Sequence, residues 1–228
     1  MRNFFSDQCE LLDIVVQYNP TIISLNELGT NVPDKIIKQR LFSYNIFSNK
    51  GTNSHGGVVL TVDKKLNTIQ LKLDQLNIVA VQIILKNQIY AIVSIYSPPN
   101  ETLSLQIMSS LTNTFRNIII VGDLNAKHPN CDCTTINHNG KIHAEWLDKN
   151  DMYAIQNPGV KTSLRSDTTI DLLIITPTIS LSQCITLSYT GSNHLPIYIE
   201  LNSIILQASF YAISTSNVHR IPIHLFLD

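Results

Sequence analysis

Asn117-Ile118-Ile119-Ile120-Val121-Gly122-Asp123-Leu124-Asn125-Ala126-Lys127-His128 changes character half-way along. Its first part is a continuous run of β-branched residues, the pattern of a strand buried on both faces. Polarity then switches abruptly. Gly122 allows a tight backbone, and Asp123 and Asn125 follow with one residue between them. In an extended segment, residues two apart project to the same side. A carboxylate and a carboxamide therefore leave the mouth of a buried strand together. They offer hard oxygen ligands for a divalent ion and an amide donor for a phosphate oxygen. Gly, Asp and Asn are also common turn residues, so the stretch alone leaves a plain turn open.

Other strands arrive at similar polar endings. Thr21-Ile22-Ile23-Ser24-Leu25 reads as a buried strand delivering Asn26-Glu27, where the glutamate is either a metal ligand or a solvated loop residue. Val58–Val62, Leu66–Leu73, Ile78–Leu85 and Ile89–Tyr96 follow as strands joined by short loops, the signature of antiparallel meanders. The last ends at Tyr96-Ser97-Pro98-Pro99, where two prolines stop the ladder. Further on, Thr168–Ile175 buries Asp171 among aliphatic residues, which is rare for an unpaired carboxylate. Ser192-Asn193-His194-Leu195-Pro196 then leads into a closing strand, Ile197–Leu201. Helical spacing marks a segment opening near Asp7, with Glu10 completing a capping box, and others at Pro33–Phe42, Glu101–Phe115 and Gly140–Asn150.

With 228 residues and 44% hydrophobic content, the chain has enough apolar material for one sizeable core. A formal net charge of -1 excludes bulk electrostatic attraction to nucleic acid, although a local groove stays open. No apolar stretch is long enough to span a bilayer, so no membrane partner is expected. Four scattered cysteines and the lack of a secretory leader point to a reducing intracellular setting. The expected organisation is one domain over 1–201 and a tail, 202–228, whose structure the pattern does not define.

Taken in order, Asn26-Glu27, Tyr96-Ser97-Pro98-Pro99, Gly122-Asp123-Leu124-Asn125-Ala126, Ile170-Asp171-Leu172 and Ser192-Asn193-His194-Leu195-Pro196 resemble the endonuclease/exonuclease/phosphatase superfamily. Within it, the chain looks like the apurinic-type endonuclease domain that accompanies the reverse transcriptase of non-LTR retrotransposons. The likeness covers residues 7 to 201. It implies a four-layer α/β sandwich, two mixed β-sheets flanked by helices, and Mg²⁺-dependent cleavage of a DNA phosphodiester, with Mn²⁺ as a substitute metal. It also implies residue roles. Glu27 and Asn193 would bind the metal, Asp123 would orient or deprotonate the attacking water, and Asn125 would hold a phosphate oxygen. Tyr96 would donate to the phosphate or assist the nucleophile. His194 would contact the scissile phosphate, with Asp171 holding its other nitrogen. Asn53, Ser54, His55, Lys127 and Arg165 are the loop residues expected to meet DNA, and a working copy would act in the nucleus without an obligate protein partner.

The chain departs from the family pattern twice. The family's first strand, which ends in an asparagine near the metal, is missing, and its loss is expected to leave an unpaired sheet edge. Asn193 stands where the family has aspartate, an uncharged and weaker ligand. Both departures suggest a truncated or weakened copy. The alternatives are a catalytically inactive nucleic-acid-binding remnant and a phosphatase of the same superfamily. A zinc module using His128, Cys131, Cys133, His138 or His143 is a further option, but Cys131-x-Cys133 lacks the usual ligand spacing.

Overall fold

Runs of β-branched residues set the strands, and amphipathic segments cover them. The computed structural model describes residues 4–29, 32–85, 87–150, 153–166, 168–188, 192–204 and 221–226. In chain order the elements are α1 (Phe4–Tyr18), β1 (Ile22–Asn26), α2 (Asp34–Arg40), β2 (Tyr44–Asn49), β3 (Val58–Asp63), β4 (Thr68–Leu71), β5 (Ile78–Leu85) and β6 (Gln88–Ile95). Then come α3 (Leu105–Thr114), β7 (Ile118–Asp123), α4 (His138–Lys149), β8 (Ala154–Ile155), β9 (Asp171–Ile175), β10 (Ile179–Thr186), β11 (Ile197–Ile204) and β12 (Ile221–Phe226).

These strands form two six-stranded sheets, ordered β10-β11-β12-β1-β3-β2 and β4-β5-β6-β7-β9-β8. Each is mixed, because β1 runs parallel to β12 and β6 parallel to β7. Side-chain alternation explains the layering. Ile119 and Val121 of β7 face inward and meet Ile22, Leu60 and Val62 of the other sheet in a buried core. Ile118 and Ile120 face outward, against Met108 of α3 and Trp146 of α4. On the opposite flank, Leu11 and Ile14 of α1 and Ile37 of α2 cover Ile23, Leu25 and Val59. Burying each such aliphatic side chain contributes roughly 1.5–3 kcal/mol. The result is the four-layer sandwich expected from the sequence. Among the described residues, no helix is long and apolar enough to cross a membrane.

Three features differ from expectation. Helix α1 begins at Phe4, three residues before the capping-box position at Asp7. Strand β10 was not legible in the sequence; register shifts around Leu181 break its alternation. The third difference is larger. An unpaired edge was expected beside β1, yet β12 occupies that place. It pairs parallel with β1 from Ile22↔Ile223 to Leu25↔Phe226, and antiparallel with β11 from Ile197↔Leu225 to Leu201↔Ile221. A segment from the expected tail therefore covers the edge of β1 that was expected to stay bare. Pro222 stands opposite Glu200 of β11, one residue before the ladder with β1 starts at Ile223.

Candidate active site

Strands β1, β6 and β7 end at the same face of the sandwich, and β9 and β11 begin there. The two sheets are stitched together near this face by Ser24 and Ser94, whose Oγ atoms are 2.5 Å apart, and by Asn26 Nδ2 donating to Ile95 O at 3.2 Å. Gly122 has φ +150°, and a Cβ there would collide with the Ile95 carbonyl. Only glycine lets β6 and β7 approach this closely.

Asp123, the last residue of β7, is 1% exposed. Asn125 folds back on it: its N–H donates to Asp123 Oδ1 at 2.9 Å and its Nδ2 to Oδ2 at 2.8 Å. That arrangement requires the left-handed φ of +44° at Asn125, a conformation asparagine tolerates. Glu27 also has a positive φ, +52°, and the Tyr96 hydroxyl donates to its carboxylate. Backbone outliers of this kind tend to cluster at functional sites. Asp171, opposite Asp123 in the β7–β9 ladder, is fully buried. Its carboxylate lies 3.0 Å and 3.2 Å from His194 Nδ1.

Charge follows from this crowding. Burial pushes the Asp123 carboxyl well above the usual range; Asp171 and Glu27 push the same way, while His194 and the Asn125 N–H oppose. For His194, burial works against the cation, but Asp171, Asp123 and Glu27 outweigh it and raise the imidazole to about 9. Burial and the neighbouring Glu27 keep the Tyr96 phenol protonated far above neutral pH.

A cleft of about 330 Å³ opens over these groups. Glu27, Asp123, Asn125, Asn193 and His194 line it, with Lys127 and Arg165 on its walls. Tyr96 and Asp171 reach it through their partners Glu27 and His194. The 50–57 loop contributes no lining residue. Asn53 instead spends its Oδ1 on the N–H groups of His55 and Gly56, and His55 is exposed. Sequence patterns also missed the residues that hold the site. Thr162 Oγ1 accepts from the N–H groups of Ile170 and Asp171, and the Ser97 N–H donates to Asp123 O. These are ordinary polar residues whose partners are distant in sequence, so no local spacing marks them.

Donor chemistry fits a hard divalent cation. Asp123, Asp171 and His194 bring their polar atoms within 4.8 Å of one another; His194 Nδ1 is taken up by Asp171, so the oxygen donors left facing the cleft are the carboxylates of Asp123 and Glu27. A cation there would oppose the burial and the neighbouring Asp171 and Glu27 charges that together raise Asp123. Among the described residues, no such trio forms around His128, Cys131, Cys133, His138 or His143.

Residues 90–198 match the endonuclease-reverse transcriptase family. That match spans a little under half of the chain. The fold is that of the endonuclease/exonuclease/phosphatase superfamily. Among similar structures is the endonuclease domain of TRAS1, a telomere-specific non-LTR retrotransposon, with TM-score 0.66 and 18% identity over 82% of this chain and 87% of that one. An endonuclease/exonuclease/phosphatase family protein from Leptotrichia buccalis gives TM-score 0.64 and 12% identity, covering 89% and 95% of the respective chains. The 3' phosphatase NExo from Neisseria, bound to a product DNA hairpin, gives 0.62 and 10%, covering 88% and 96%. No curated protein sequence matches. At these identities the superfamily likeness fixes the fold and leaves the substrate to the site.

Proposed function

We propose that the chain is a Mg²⁺-dependent DNA endonuclease of the retrotransposon type, cleaving a phosphodiester in this cleft, and that its activity is weakened by Asn193. The convergence of Asp123, Asp171 and His194 beside Glu27 carries the reading. Held by Asp171, His194 is a cation at neutral pH and presents Nε2–H to a phosphoryl oxygen. Asp123, its two carboxylate oxygens oriented by Asn125, would take a proton from the attacking water, a role typically worth ~10²–10⁴-fold. Tyr96 keeps its proton and would donate to a phosphate oxygen in place of Glu27. Both Nδ2 hydrogens of Asn125 are engaged, by Asp123 Oδ2 and Ser97 O, so holding a phosphate oxygen means exchanging one of those bonds.

Glu27 and Asn193 would hold Mg²⁺, or Mn²⁺ in its place. The bound ion supplies neutralisation of charge on the phosphate. An amide at Asn193 ligates through its oxygen alone and without charge, which lowers affinity. Lys127 and Arg165 are placed to meet the DNA backbone, with Asn53 and His55 farther out on a loop tied to the rim by Thr52 Oγ1 donating to Glu101 Oε1 at 2.5 Å. A chain acting this way on chromosomal DNA would work in the nucleus. β12 covers the β1 edge that was expected to stay bare, but Ile221–Phe226 contains no asparagine to stand near the metal.

Nicking of supercoiled plasmid with Mg²⁺ tests the reading. Asp123→Ala and His194→Ala should each lower the rate by ~10²-fold or more. Asn193→Asp should lower the Mg²⁺ concentration needed for half-maximal rate. A folded parent chain that binds plasmid without nicking it would instead be a non-catalytic remnant. Release of phosphate from 3'-phosphorylated DNA without nicking would make it a phosphatase, like the Neisseria neighbour.

A further inference from the structure

The loops that carry Tyr96 and Asn125 do not hold themselves in place. Both hang on the first turn of α4. Asn137, the N-cap, accepts at Oδ1 from Gly140 N at 2.7 Å, which is the ordinary capping bond. The same oxygen accepts from Lys127 N at 3.0 Å. Its Nδ2 donates to Asn125 O at 2.6 Å, and its backbone N–H donates to Lys127 O at 3.2 Å. Capping requires only the first of these four bonds. The other three reach out of the helix to the loop leaving β7. Gly140 presses on the same loop, since a Cβ there would collide with the Lys127 carbonyl.

Two residues on, Asn139 does the same for the loop leaving β6. It is 3% exposed. Its Nδ2 donates to Ser97 Oγ at 3.2 Å and Glu101 O at 3.1 Å, and its Oδ1 accepts from Leu103 N at 3.1 Å. Ser97 joins the two loops, because its carbonyl accepts from Asn125 Nδ2 at 3.0 Å. Asn125 is thus fixed at both ends: its carboxamide by Asp123 and Ser97, its carbonyl by Asn137. A residue at φ +44° drifts toward ordinary backbone once that hold is released.

We propose that Asn137 is a positioning residue for phosphodiester cleavage, acting through Asn125, with Asn139 securing the facing loop at Ser97. The inference rests on the endonuclease reading above. Asn137→Ser is the selective probe. Serine caps a helix as well as asparagine but lacks the arm that reaches Asn125 O. In the nicking assay it should lower kcat about tenfold, with KM for plasmid changed less than twofold. Asn125→Ala should cost more, and Asn125→Ala/Asn137→Ser no more than Asn125→Ala alone, because residues acting as one unit are not additive. Rate losses that multiply in the double variant would overturn the proposal. Amide hydrogen exchange supplies a readout independent of turnover. In Asn137→Ser, the Asn125 N–H, which donates to Asp123 Oδ1, should lose protection while amides later in α4 keep theirs; unchanged protection at Asn125 refutes the hold. A parent chain that does not nick would sink the endonuclease reading and the catalytic role of Asn137 together. Exchange at Asn125 would still report whether the loop is held.

Discussion

Replacing Asp171 by asparagine isolates the charge that sets His194. The side chain is fully buried, and an amide oxygen can still accept from Nδ1, so the variant removes the charge and keeps the hydrogen bond. His194 stands at about 9, against an ordinary 6.5, and Asp171 makes the largest contribution favouring the cation. That displacement corresponds to about 3 kcal/mol. If the imidazole returns to about 6.5, its protonated fraction at pH 7.5 falls from about 97% to about 10%. Proton NMR of the His194 ring, titrated in EDTA, reads this directly. A ring still titrating at or above about 8 in Asp171→Asn would refute the reasoning, leaving Asp123 and Glu27 as the groups that hold the charge. The sign for stability follows. A histidine raised in the folded state contributes fully below about 6.5, and that contribution is lost as pH rises through about 9. Urea midpoints of the parent chain should decline across that window, and the decline should flatten in the variant.

Three further outcomes are expected. Gly122→Ala forces a Cβ onto the Ile95 carbonyl at a φ that L residues rarely adopt, so it should destabilise by about 2 kcal/mol or more; an unchanged denaturation midpoint would contradict this. Ending the chain after Ile204 strips β12 from between β1 and β11 and should leave a protein that aggregates or melts without cooperativity. A truncated monomer with the parent Tm, seen by size exclusion and calorimetry, would show that β12 adds nothing. His143 is buried against Trp146 with Nε2 lacking a hydrogen-bond partner, and burial together with the nearby His128 lowers it to about 4. The unfolded chain therefore binds a proton that the folded chain refuses between about 4 and 6.5, and stability falls with pH through that window by about 3 kcal/mol. His143→Phe should abolish that slope when urea midpoints at pH 7 and pH 4.5 are compared.

Legibility from sequence tracked how local each determinant is. The β7 run and its exit at Gly122-Asp123 were readable because burial and its end are written in consecutive residues. Asp171 stood out because a carboxylate among aliphatics needs a partner, and His194 is that partner across 23 residues of chain. What failed to show was register and reach. The bulges in β10 erase its alternation. Pro222 argues against an interior strand until its neighbours are known. The hold exerted by Asn137 is invisible for the same reason, since an N-cap looks alike whether it serves its own helix or a loop as well. Asn53 shows the converse: a polar loop residue near the expected mouth turned out to close its own turn.

The pairing of β1 with β12 has a consequence for how the molecule is made. Strands that lie side by side in parallel are about two hundred residues apart in the chain, and the later one enters the middle of the sheet, between β11 and β1. During synthesis β1 can pair with β3 early, but its other edge stays bare until residue 226 has left the ribosome. Such distant contacts slow folding, and the waiting edge is a template for pairing with another chain. The nascent protein is therefore most exposed to misassembly in the interval before its last described strand arrives, and chaperone dependence should be concentrated there.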